Sequence, residues 1–272
     1  MSVNSDLYDS ITDAWQYLLG ENFHWGLFLD SSEDLPKATQ NLIDLMLNQV
    51  QIDSETKLLD IGCGIGTPAL DIHSKYGCRV VGISNSKKGV SAANHNAKVA
   101  ECSESVQFLL RDALDNKIAS NSIDVCWLME MSHLIDDKEK LLLESYRTLK
   151  KGGQIVLCDL MFRRPFGPLE ASSHLEELKK LELSFGKARI ETIDFYNILF
   201  NKIGLKDIEV TDISDQVKDT LKFWKRNALD NYKALEEDIS KAKVDNFIDS
   251  CEILKEFYDQ KIWGYGIIVG KK

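Results

Sequence analysis

The stretch Leu58-Leu59-Asp60-Ile61-Gly62-Cys63-Gly64-Ile65-Gly66-Thr67 decides the fold of this chain. An apolar run ends at an acidic residue and enters a glycine-rich turn. Beyond it, Pro68-Ala69-Leu70-Asp71-Ile72 opens a helical pattern. A strand, a tight turn and a helix N-terminus together make a cradle for a polar ligand. Glycine is needed where the backbone turns sharply and the ligand comes close. A dinucleotide fingerprint has glycine at its first, third and sixth positions. Counted from Gly62, glycines fall at 62, 64 and 66, and Thr67 takes the sixth place. The Asp60 carboxylate opposes a pyrophosphate and suits an ammonium group.

Outward from the turn, strands alternate with helices. Lys57 to Ile61, Arg79 to Ile83, Val106 to Leu110, Ile123 to Leu128 and Gln154 to Asp159 read as five strands. A helix over 136–149 is expected to stop at Gly152-Gly153, with Lys150-Lys151 complementing its C-terminal dipole. Strands joined by helices imply an α/β fold, a mostly parallel sheet covered on both faces, with ligands at the strands' carboxyl ends. Before the turn, residues 7–19 and 35–50 have helical periodicity. Between them lies the aromatic segment Glu21-Asn22-Phe23-His24-Trp25-Gly26-Leu27-Phe28. Such a segment either walls a pocket or forms a satellite apolar cluster. After Asp159, helical patterns over 169–183, 191–203, 215–232 and 236–259 surround a sixth strand over 204–210, and Gly264 to Val269 is a last strand. The expected division is a helical lid over 1–52, a ligand-binding core over 53–162, a helical cap insertion with the sixth strand over 163–260, and a final core strand over 261–272.

Composition narrows the function. A chain of 272 residues can bury a sizeable core. Its net charge of −10 disfavours nucleic acid and anionic membranes as main partners. No apolar run approaches the ~18 residues of a spanning helix, and Met1 to Asp6 carries no secretory pattern. The six cysteines form no CxxC pair or Cys/His cluster, so no metal is expected and the thiols read as reduced, in a cytoplasmic protein. An oligomer is compatible with this composition.

The turn resembles motif I of the class I S-adenosylmethionine (SAM) methyltransferases, where it holds the methionine end of SAM, with its amino group and sulfonium. The wider resemblance is to small-molecule methyltransferases of bacterial natural-product pathways, above all the sugar O-methyltransferases of the rebeccamycin type. It runs through Gly20 to Gly26, Gly62 to Pro68, Gly82-Ile83-Ser84, Arg111-Asp112-Ala113, Glu130 to Asp137 and Leu149 to Gly153. It implies a Rossmann-like sheet and SAM as cofactor. Asp60, Gly62, Cys63, Gly64 and Gly66 of the turn are assigned to the cofactor, together with Tyr8 and Trp25 of the arm. Ser84 and Asn85 would face its ribose, Asp112 and Ala113 its adenine, and Met129 and Glu130 leave the fourth strand facing it. His133 can take a proton from a substrate hydroxyl. In the family an aspartate on the fifth strand supports such a histidine, which gives a His133–Asp159 pair. Leu134 stands where the sugar enzymes often carry a second histidine, and His24 is the reserve base. His73, His95 and His174 are assigned to the surface. The resemblance implies methyl transfer to a small-molecule acceptor, with a hydroxyl oxygen leading and a nitrogen or carbon as rival. A non-catalytic SAM-binding protein is the rival from another class.

Overall fold

A computed structural model describes residues 14–20 and 22–272. Tyr8, most of the first expected helix and Glu21 lie outside the described residues. Seven strands form one sheet in the order β3-β2-β1-β4-β5-β7-β6. They are β1 (Lys57–Ile61), β2 (Arg79–Ser84), β3 (Val106–Leu110), β4 (Ile123–Met129), β5 (Leu149–Phe162), β6 (Lys206–Asp212) and β7 (Trp263–Lys271). The first five are parallel, and β7 runs antiparallel between β5 and β6. The chain steps from β1 outward to β2 and β3, then returns to β4 on the other side of β1. The crevice at that reversal is where α/β sheets bind ligands.

Both faces of the central strands are buried, as a doubly covered parallel sheet requires: Leu58, Leu59, Val125, Cys126, Ile155 and Val156 are at most 1% exposed. The covering helices start on local caps. Asp34, Ser86 and Asp137 each accept from the backbone N–H three residues on, beginning the helices Leu35–Leu47, Lys87–Val99 and Lys138–Thr148.

The structure moves three boundaries. The last of these helices ends at Thr148, ahead of Gly152-Gly153, because β5 already begins at Leu149. Lys150 therefore pairs with Asp124 (2.8 Å) and not with the helix end. β5 runs three residues past Asp159 to Phe162, because β7 pairs with it as far as Trp263. The expected helix over 236–259 is broken at Ser240, whose φ is +85°, into Tyr232–Ile239 and Lys241–Asp259.

The described part of the N-terminal arm is built into the molecule. Trp25 is 2% exposed and packs on Trp224 (5.1 Å between ring centroids), Tyr258 (5.2 Å) and Tyr265 (6.0 Å). Gly26 N donates to Thr220 Oγ1 (3.0 Å) and Phe28 N to Gln216 O (3.0 Å). Arm, cap helices and one sheet face thus share a single apolar cluster.

Candidate active site

One cavity of about 1050 Å³ opens over the carboxyl ends of β1, β2 and β4 and runs beneath the cap. Its inner end is the glycine turn. Gly62, Gly64 and Gly66 all have positive φ (88°, 52° and 85°), which L side chains rarely adopt. Their surroundings separate them. A Cβ on Gly62 would lie 2.5 Å from Met131, and one on Gly66 2.5 Å from Phe108, whereas one on Gly64 would meet nothing within 4 Å. Gly62 and Gly66 are small because the protein packs against them. Gly64 is small beside open space, as a ligand cradle needs.

Asp60 lines the same end of the cavity. Its Oδ2 is buried without a hydrogen-bond partner, and burial pushes its carboxyl up to about 7. An ammonium group would relieve that desolvation, so the residues fit the methionine end of SAM. Cys63 is 5% exposed, and burial, with Asp60 adding, holds its thiol well above the usual range. It is a packed thiol and not a nucleophile. Ser84, Asn85, Asp112 and Ala113 line the next stretch of wall. Ser84 Oγ accepts from Ser86 N (3.1 Å), and Asp112 Oδ1 accepts from Leu114 N (2.8 Å). Each therefore also stabilises its own turn, and Asp112 keeps Oδ2 for a donor such as an exocyclic amine.

Met129 and Glu130 also line the cavity. Glu130 sits in the left-handed region (φ +50°), a strained backbone for a side chain of this size. Its carboxylate does not simply face the cavity: Oε1 accepts from Trp25 N (2.7 Å) and from the Tyr265 hydroxyl. Burial pushes it up to about 8, against the lowering effect of those two bonds. Glu130 thus clamps the arm to the sheet, and Tyr265, on β7, has no local sequence signal for that contact.

His133 lines the cavity as well, and the fully buried Asp159 meets it from behind. His133 Nδ1 lies 2.6 Å from Asp159 Oδ1, and His133 N donates to Oδ2 (3.0 Å). Since the carboxylate can only accept, Nδ1 carries the hydrogen and Nε2 is left with its lone pair, the tautomer following from this partner. Asp159 also accepts from Ser132 Oγ (2.5 Å) and Leu160 N (2.8 Å). Burial alone would push Asp159 up, but its pairing with His133 and the bonds from His133 and Ser132 hold it below the usual carboxylate range. Tyr196 donates to Ser132 Oγ (2.8 Å), a further member that the sequence did not reveal.

His24 lines the cavity, 4% exposed. Its Nδ1 donates to Trp25 O (2.8 Å), Nε2 is buried without a partner, and burial pulls the imidazole down to about 4. It is neutral at ordinary pH. His174, expected at the surface, lies partly buried against Phe257 (5.1 Å between ring centroids) because the cap folds over it. The outer cavity is walled by Phe162, Phe166, Leu181, Phe185, Trp224 and Trp263. Among the described residues no cluster of His, Cys, Asp or Glu could hold a metal ion, and no helix is long and apolar enough to cross a membrane.

Comparisons with known proteins place the chain beside methyltransferases. A family described as "Methyltransferase domain" matches residues 59–157. The chain is 28% identical to the 27-O-demethylrifamycin SV methyltransferase of Amycolatopsis mediterranei, over 97% of this chain and 95% of that protein. It is also 28% identical to the methyltransferase GfsG of Streptomyces halstedii, over 79% and 77%. Among solved structures, the [4+2]-cyclase SpnF superposes with a TM-score of 0.85 at 20% identity, covering 99% of this chain and 95% of that one. That last likeness establishes the Rossmann-like class I fold.

Proposed function

We propose that this chain, a SAM-dependent methyltransferase of class I fold acting on small molecules, transfers its methyl group to a hydroxyl oxygen of a bulky, largely apolar natural product. The observation that carries the reading is His133 on the wall of a cavity large enough for cofactor and acceptor together, held from behind by the buried Asp159 at 2.6 Å. Asp60, Gly62 and Gly64 would hold the methionine end of SAM, Ser84 and Asn85 its ribose, and Asp112 and Ala113 its adenine. Bound SAM supplies a methyl carbon activated by an adjacent sulfonium.

The protein's own work is alignment, exclusion of water and removal of one proton. Asp159 fixes the imidazole of His133 through Nδ1. Nε2 then accepts the acceptor's hydroxyl proton as the oxygen attacks, and Asp159 balances the charge gained by the ring. His24, neutral and with a bare Nε2, is the reserve base. The aromatic outer wall takes the apolar body of the acceptor. The full-length likeness to an enzyme named for an O-demethyl antibiotic supports oxygen as the acceptor atom. Six unpaired thiols suit a reducing, cytoplasmic setting, and nucleic acid and membrane have no part in this reading.

The test is a panel of matched acceptors with radiolabelled SAM: polyketide or terpenoid alcohols, the corresponding amines, and small polar amines. Labelled methyl ether on the alcohols alone is the expected outcome. Preferential labelling of amines or of carbon would overturn oxygen as the acceptor atom.

A further inference from the structure

Lys138 is the first residue of its helix, where the macrodipole disfavours a cation, yet its side chain turns inward and is only 3% exposed. All three of its N–H bonds go to backbone carbonyls. Nζ donates to Ser132 O (2.5 Å), Ile135 O (2.5 Å) and Arg189 O (2.8 Å). The first two carbonyls bracket the single 3₁₀ turn Ser132–Leu134, which carries His133. The third belongs to the strap 186–192, whose residues Gly186 to Ile190 line the outer cavity. A second bond joins the same two segments directly, from Arg189 N to His133 O (2.7 Å).

We infer that Lys138 is a positioning residue that stitches the His133 turn to the strap of the cap, so that the base reaches its working orientation only when the strap lies over the acceptor. A turn of three residues cannot hold an imidazole by itself. Asp159 fixes the ring, and Lys138 fixes the backbone that carries it. Because the third carbonyl comes from the cap, an opening strap takes one of the three bonds away and loosens the turn. The charge is part of the device. A neutral amine keeps two hydrogens for three carbonyls and turns a lone pair toward one of them. Asp159, Asp136 and Glu191 face the ammonium and favour its charge, whereas Arg189 opposes it; burial outweighs them and pulls the group down to about 8. The stitch should therefore loosen as pH rises through about 8.

The proposal rests on His133 as the base, and its test is read without methyl transfer. Rate studies that removed His133 from the chemistry would leave the stitch intact, whereas hydrogen exchange can remove the stitch while His133 remains the base. Hydrogen exchange is followed in the protein saturated with S-adenosylhomocysteine, together with the low-field Nδ1–H proton resonance of His133, identified by its loss in His133→Gln. In Lys138→Met the amides of His133, Leu134, Ile135 and Arg189 should exchange at least about tenfold faster, all together, and the resonance should shift or broaden. Loosening of one segment alone, or an unchanged resonance, would overturn the coupling. If that variant does not fold, the parent protein carries the test. After correction for intrinsic base catalysis, the same four amides should lose protection together between about pH 7 and 9. Protection constant across that range would sink the proposal.

Discussion

At the scale of single residues, the site divides its proton work between two carboxyls in opposite states. Asp159 is buried but held as a carboxylate by four hydrogen bonds, two of them from His133, whereas Asp60 is buried with one oxygen unpartnered and pushed up to about 7. His133→Ala should lower the single-turnover rate by about 10²–10⁴ and leave cofactor affinity unchanged. Asp159→Asn should lower the rate less. It should also cost stability, about 1–3 kcal/mol, since an amide placed among donors leaves a buried hydrogen without an acceptor. Quenched-flow methyl transfer and denaturant melts separate the two effects. Asp60 carries its own pH signature. Below about pH 7 its carboxyl is protonated and must give up that proton to meet an ammonium group. Cofactor affinity should therefore rise as pH rises through 7, with proton release on binding, and Asp60→Asn should remove both. Calorimetry with S-adenosylhomocysteine in buffers of differing ionisation heat reads this directly. Affinity flat with pH would detach Asp60 from the ammonium.

At the scale of elements, the three glycines of the turn make a discriminating series. Gly64→Val should yield a folded protein without cofactor affinity, because its side chain would enter open cradle space, at a backbone cost of about 1–2 kcal/mol. Gly66→Ala should instead destabilise the fold, since its Cβ would strike Phe108 at 2.5 Å. Thermal melts and ligand titration on both variants check this, and equal behaviour would refute the division. The turn and the five parallel strands were legible in the sequence because apolar runs, glycines and caps act locally. So were His133 and Asp159, through the motif around them. Tyr196, Tyr265 and Lys138 were not, because their roles depend on which distant backbone or hydroxyl the fold brings to them. The length of β5 was hidden for the same reason: its last residues are a strand only because β7 lies beside them.

At the scale of the whole molecule, stability and ligand binding share the same buried acids. The folded-state values of Asp60 and Glu130 are raised to about 7 and about 8, so the folded protein holds protons that the unfolded chain has already released. Their contribution is complete below about pH 4 and is lost as pH rises through 7 and 8. His24, pulled down to about 4, acts in the opposite sense only up to about pH 6.5. Between about pH 6.5 and 8 the ligand-free protein should thus melt at falling temperatures, while the rise in melting temperature on adding SAM should grow. Calorimetric scans across that window test it, and a melting temperature that climbs instead would contradict the assignment. The Glu130 clamp has one more consequence. It accepts from a backbone N–H 105 residues upstream and a hydroxyl 135 residues downstream. A ribosome delivers these partners in order, so Trp25 waits for Glu130 at the end of β4, and the clamp is completed only when β7 supplies Tyr265. The nascent chain therefore holds every residue assigned to the cofactor long before the hydroxyl that completes the clamp on the arm has been made.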